Sequence, residues 1–305
     1  MNKGRGFQNG WWLILITLGV MLATELPFAF ASSDKYNFIY MLFNEITLII
    51  PIFVGLSFMN LEQSDGRVIE NIGLKGFPLK ALPFIILLPV TGQYFINYVT
   101  LPVQTLLTLL LGGREYSFPS GIENFWQNFL LMCVLAPFFE EMLCRGILMN
   151  LFKRYGTAKM LVYSSLGFAM LHMDAEAFLP LFFVGLVLGA IRITTGSVLA
   201  AMTAHAASNL FSLVAITFNS GFMAYNIIFV ILFAVAFPVL LWFYFRKFDG
   251  EFPKSDLIQN KTSPTGFSVG FIVVLSAFSL FNIIAFAVRL FSGEFYYDIS
   301  SMFIY

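Results

Sequence analysis

The chain has 305 residues, of which 59% are hydrophobic and 11% charged, with a mean hydropathy of +0.83. Soluble domains carry roughly 25% charged residues, so this composition has too little polar side chain to coat a soluble globule. The formal net charge is zero, which leaves no basic surface for nucleic acid.

A helix that crosses a bilayer needs about 20 mostly apolar residues. Nine stretches qualify, at 11–31, 37–59, 81–111, 122–152, 158–173, 177–193, 197–218, 224–245 and 266–291. Residues 1–31 also resemble a cleavable signal peptide, with Lys3 and Arg5 before an apolar run and Ala29-Phe30-Ala31 after it. Cleavage would leave eight spans. Pro89 and Pro102 are candidate breaks in the third stretch, and Pro137 is a candidate kink in the fourth. The fifth and sixth are short for spans. The expected fold is therefore all-α, a polytopic transmembrane helical bundle of about 8–9 spans. Connections are too short for a soluble domain, so residues 1–305 read as a single membrane domain.

Thirteen of the seventeen Lys and Arg fall on one side of this arrangement. They include Arg67, Lys75, Lys80, Lys153, Arg154, Lys159, Arg192, Arg246 and Lys247. Lys35, Arg114 and Arg289 fall on the other side, and Arg145 lies within a span. The positive-inside rule then puts the N-terminus in the cytoplasm. The plasma membrane is the expected location. Cys133 and Cys144 are eleven residues apart in one apolar stretch. That is about 16 Å of helix, too far for a mutual disulfide, and both read as packing residues.

Ionisable groups inside a membrane are costly and tend to be functional. Here they are Glu25, Glu45, Glu140, Glu141, Arg145, His172 and His205. Glu141 and Arg145 are spaced i, i+4 and can pair, whereas Glu140 is turned about 100° away and needs another partner. Phe168 and His172 share a face, and so do His205 and Asn209. Counting from the basic ends, Glu140 and His172 each lie roughly 20 Å deep, and His205 about 12 Å. Three helices can thus bring two carboxylates, two imidazoles and an amide to similar depth. Glu25 and Glu45 read as paired or water-exposed helix residues. Asn44, Gln93 and Asn282 read as interhelical hydrogen-bond partners.

A carboxylate beside an imidazole in a dry pocket can activate water. A second imidazole and an amide can donate to an oxyanion. The same groups resemble a His₂Glu zinc site formed by Glu140, His172 and His205. Spacing alone leaves zinc and no cofactor both open. Asn209 is a poor zinc ligand and a good oxyanion donor, which favours the metal-free form. A proton-coupled transporter is a rival from another class, supported by Glu25 and Glu45. It lacks paired interrupted helices in matching halves.

Glu140-Glu141-x-x-x-Arg145, Phe168-x-x-x-His172 and His205-x-x-x-Asn209 resemble, in order and placement, the three motifs of the CAAX-protease and bacteriocin-processing family of intramembrane endopeptidases. The motifs cover 140–209, and the family's core helices would extend over about 81–245. The resemblance implies that Glu140 activates water with His172 as its partner. Glu141 and Arg145 would pair and position the site or the substrate end. His205 and Asn209 would stabilise the oxyanion. The implied partners are the lipid bilayer and a membrane-associated peptide or protein, lipidated or CAAX-like. Oligomeric state is not legible. A non-catalytic immunity or scaffold protein on the same fold is the alternative within the resemblance.

Overall fold

A computed structural model describes residues 5–28, 37–62, 68–111, 124–218, 227–248, 257 and 269–292. The described residues are helical with no strand. Helix α1 (Arg5–Phe28) is followed by α2 (Asn37–Thr47) and α3 (Ile49–Glu62). Pro51 has no N–H to give Thr47, and the chain breaks pitch between α2 and α3, at Leu48. A short α4 (Val68–Ile72) leads to α5 (Leu82–Leu111). Pro89 and Pro102 lie inside α5, which runs on through both.

The fourth stretch alternates between two pitches. It comprises α6 (Phe125–Asn128), a π segment (Phe129–Leu135), α7 (Ala136–Glu141), a second π segment (Met142–Leu148) and α8 (Met149–Phe152). Pro137 sits in the first turn of α7, where the wide turn before it absorbs the missing donor. Next come α9 (Thr157–Leu171), α10 (Phe178–Thr195), α11 (Val198–Thr217), α12 (Ile227–Phe248) and α13 (Val269–Ser292).

Among the described residues, five helical runs are long and apolar enough to cross a membrane: Phe38–Leu61, Leu79–Leu111, Phe178–Thr195, Val198–Ala215 and Val269–Ala287. Shorter apolar helices run over Asn9–Thr24 and Ile231–Tyr244. The 125–152 run carries three charges, and α9 has 15 residues, about 22 Å of rise. The chain is a polytopic helical bundle of integral-membrane type.

Side-chain pairs fix the helix directions. Phe84 meets Tyr244 and Phe95 meets Phe237, so α5 and α12 are antiparallel. Trp11 packs on Phe152, Tyr163 and Phe271 near one end of the bundle. That end holds the described cations Lys75, Lys80, Lys153, Arg154, Lys159, Arg192 and Arg246. The side chains of Lys35, Arg114 and Arg289 lie outside the described residues.

The segment after α4 closes the basic end. Asn150 Nδ2 donates to Asn71 O at 2.7 Å, Arg192 Nη2 to Ile72 O at 3.0 Å, and Val198 N to Gly73 O at 2.9 Å. The Ser197 hydroxyl bonds Lys75 O. Gly73 has φ +81°, and a Cβ there would stand 2.3 Å from Arg192 Nη2, so both backbone conformation and close approach require glycine.

Candidate active site

The first motif sits where the two helical pitches meet. Glu140 and Glu141 end α7, and the π segment that follows carries Arg145. Arg145 Nη1 donates to Glu141 Oε1 at 3.1 Å, as the i, i+4 spacing predicts. Both side chains are fully enclosed, at 1% and 0% exposure. Arg145 Nη2 donates to Gly185 O at 3.1 Å, and its guanidinium stands 4.4 Å above the Phe168 ring. A buried charge pair needs such extra partners to offset its lost hydration.

His205 adds a third member, with Nδ1 3.0 Å from the same Glu141 oxygen. Glu141 therefore holds together four helical runs: its own, α9 and α10 through the Arg145 contacts with Phe168 and Gly185, and α11 through His205. Neither Glu141 nor Arg145 lines the cavity described next. Their side chains stand behind it, so a contact of Arg145 with the substrate end, allowed for from the sequence, has no support in this geometry.

Glu140 points the other way, into a cavity of about 420 Å³. His172, His205 and Asn209 also line it. His172 caps the C-terminus of α9. Its Nδ1 lies 2.9 Å from Phe168 O, an acceptor, so Nδ1 carries the hydrogen. In the neutral ring that leaves Nε2 with a lone pair, 3.9 Å from Glu140 Oε2. The separation exceeds a direct hydrogen bond and is within the span of one bridging water. Glu140 Oε2 is buried and has no hydrogen-bond partner.

Asn209 Nδ2 donates to Met132 O at 2.7 Å. The origin of this bond is legible in the chain. Ala136 N donates to Leu131 O, five residues back, which sets the π register. The next donor in that register belongs to position 137 and would reach Met132 O, but residue 137 is proline. Asn209 thus satisfies the carbonyl that Pro137 orphans. Its second amide hydrogen remains for another acceptor.

Sequence reasoning missed one cavity residue. Met41, Asn44, Glu45 and Leu48 share a face of α2 and its exit, and all four line the cavity. Ile39, Phe43, Ile46 and Ile50 are exposed around the other side. Glu45 Oε2 is buried without a partner, and its charge and that of Glu140 repel each other. Of the two expectations for Glu45, pairing is corrected, and the half-buried side chain lies against the cavity. The available signal was amphipathic: Asn44 and Glu45 share a face with Met41 and Leu48, opposite a row of large apolar residues. The side chain of Glu25 lies outside the described residues.

Asn44 and Gln93 bridge helices, and Asn282 ties its helix to the turn between α9 and α10 instead. Thr24 donates to Asn44 Oδ1, Gln93 Nε2 to Ser212, and Ala175 N to Asn282 Oδ1. Asn44 and Gln93 also line the cavity, so bridging and lining are not exclusive. Met21, Tyr40 and Glu45 extend the cavity wall beyond the expected 81–245 core. Cys133 and Cys144 are buried and free.

A zinc ion would need Glu140, His172 and His205 to converge. His205 turns Nδ1 to Glu141, which leaves Nε2 as its open donor, and of the two imidazoles only His172 comes within 4 Å of Glu140. Among the described residues no three His, Cys, Asp or Glu side chains form a set able to hold a metal. The donors as placed do not fit a metal, and no step below is routed through one.

Residues 122–211 match the family model described as type II CAAX prenyl endopeptidase Rce1-like. The matched segment contains all three motifs and the helices that carry them. No curated protein and no solved structure matches the chain.

Proposed function

We propose, from the match of residues 122–211 to the Rce1-like CAAX endopeptidase model, that the chain is an intramembrane peptidase and that it works by metal-free, glutamate-dependent hydrolysis. Glu140 is the general base and His172 its partner. The observation that carries the reading is the unpartnered Glu140 oxygen facing His172 Nε2 across 3.9 Å in the shared cavity.

A water held between Glu140 and His172 attacks the scissile carbonyl carbon. Glu140 takes the proton as the new C–O bond forms, and the carbonyl π electrons move to oxygen. His205 and the second amide hydrogen of Asn209 face that oxyanion. Donation from His205 Nε2 requires the doubly protonated ring, because Nδ1–H already serves Glu141. Collapse of the oxyanion breaks the C–N bond, and Glu140 returns the proton to the leaving nitrogen. The products are a carboxylic acid and an amine.

Arg145 acts at a distance. It holds Glu141 in place, and Glu141 in turn orients His205. The Phe168 ring stands 5.0 Å from His172 and 5.9 Å from His205, so one side chain spaces both imidazoles.

The substrate of this reading is a peptide that reaches a membrane-enclosed cavity, as a lipid-tailed or membrane-embedded segment does. The test is proteolysis of a lipid-tailed peptide by purified protein. Cleavage by the unaltered chain and its loss in Glu140→Gln is the expected outcome. Equal cleavage by both would sink the assignment.

A further inference from the structure

Three polar side chains on the cavity wall have no part in the mechanism above. Gln93 comes from α5, and Ser208 and Ser212 come from α11. All three line the cavity, and each is more than nine-tenths buried, at 8%, 4% and 8% exposure. The Ser208 hydroxyl donates to Gln93 Oε1, and Gln93 Nε2 donates to Ser212 Oγ at 3.1 Å.

The two serines differ from other buried hydroxyls of the bundle. Thr17, Thr91, Thr100, Ser165 and Thr195 each donate to the carbonyl four residues back on their own helix. That bond satisfies a hydroxyl without help from another helix. Ser208 faces across to α5 instead, and Ser212 accepts a bond without giving one among the described residues. A glutamine amide has two N–H donors and a serine has one O–H. One amide hydrogen of Gln93 and the hydroxyl hydrogen of Ser212 are thus left over among the described residues. A network that served only to join α5 to α11 would gain nothing from spare donors, because an unsatisfied buried donor costs free energy. Two spare donors on one cavity wall suit an acceptor that arrives with the ligand.

Their place along α11 selects the acceptor. His205, Ser208, Asn209 and Ser212 all turn to the cavity. The mechanism puts the scissile carbonyl oxygen before His205 Nε2 and Asn209. Ser212 lies about 4.5 Å farther along the helix than Asn209 and about 10.5 Å farther than His205, at 1.5 Å per residue. Carbonyls on one edge of an extended peptide recur every second residue, at about 6.6 Å. An extended substrate with its scissile carbonyl at His205 and Asn209 therefore sets a second carbonyl before Gln93 and Ser212. A helical segment offers no such pair, since its carbonyls are taken by its own N–H groups.

We infer that Gln93 and Ser212 form a backbone-binding subsite for the substrate carbonyl two residues from the scissile one, and that the substrate is bound as an unwound, extended peptide and not as an intact transmembrane helix. Ser208 acts through Gln93, as a positioning residue that fixes the rotation of the amide. The inference rests on the peptidase reading and deepens it.

An ester substitution in the substrate tests the subsite, because an ester carbonyl accepts hydrogen bonds more weakly than an amide. Lipid-tailed peptides are made in which the carbonyl two residues before, or two residues after, the scissile one belongs to an ester. Purified parent, Ser212→Ala and Gln93→Met are compared by KM and kcat on the amide and ester peptides. With the parent, one of the two esters is expected to cost about three- to tenfold in kcat/KM, as one net hydrogen bond does. Each variant is expected to lose a similar factor on the amide peptide, through KM with kcat little changed. The ester should then cost the variants less than about twofold more. A role limited to joining the helices would lower the melting temperature of the variants and leave the ester penalty as large as in the parent, and that result overturns the inference. So does a parent indifferent to both esters. Ser212→Ala removes a single hydroxyl and decides the matter should Gln93→Met fold poorly. Cleavage by the parent and its loss in Glu140→Gln report separately on the peptidase reading. A parent that cleaves none of the peptides sinks that reading and this inference with it.

Discussion

Asn209 has two candidate roles, and one double substitution separates them. Asn209→Ala removes the donor from Met132 O, a bond of 2.7 Å. An orphaned buried carbonyl costs about 1–3 kcal/mol in soluble proteins. Side-chain hydrogen bonds within membranes average about 0.6 kcal/mol and reach about 1.7. A loss of about 1 kcal/mol is therefore expected. Pro137→Ala supplies a backbone N–H in the register that Ala136 and Leu131 set, aimed at the same carbonyl. In that background Asn209→Ala should cost under about 0.5 kcal/mol, since contacting residues that share a partner are non-additive. Reversible unfolding of the four proteins in mixed micelles measures the cycle. Equal cost in both backgrounds would refute the Pro137 account. Peptidase activity gives the second reading. An oxyanion donor is worth about 10²–10³ in rate, and the double variant would recover stability without recovering that factor. Recovery of both would make Asn209 a prop for the Met132 carbonyl and nothing more.

Other outcomes follow from the same geometry. Arg145→Met strands Glu141 at 0% exposure and should cost about 3–5 kcal/mol, with much of it recovered in Arg145→Met/Glu141→Gln; denaturant titration in detergent decides. Glu45→Gln removes a carboxylate that has no partner and should leave the protein at least as stable, so a marked fall in its melting temperature would show a missed bond. Asp174→Ala removes the acceptor from Glu176 N (2.8 Å) and Ala177 N (3.3 Å) at the entry to α10, at a cost of about 1 kcal/mol readable in the same unfolding assay. A zinc chelator should leave cleavage by the purified protein unchanged; loss with chelator and return with zinc would make the histidines ligands and overturn the metal-free mechanism.

The sequence by itself determined the solvent and named the candidate site residues. Long apolar runs with few charges call for helices to satisfy backbone groups in lipid, and the described residues of these runs are helical apart from short turns. The Glu141–Arg145 pair was legible because i, i+4 spacing on one helix is a local property. So was the sharing of a face by Phe168 and His172. Tertiary structure decided which faces meet. Local spacing says nothing about rotation between helices, so it could not show His205 turning to Glu141 while His172 turns to Glu140. Nor could it place Asn209 on a carbonyl that a proline on another helix leaves free. Glu45 shows the limit most sharply: its own segment reads as an ordinary amphipathic helix, and only the packing of α2 against the motif helices brings its carboxylate to the same cavity as Glu140. Periodicity along one helix is encoded within a few residues, whereas convergence of helices depends on contacts between side chains far apart in the chain.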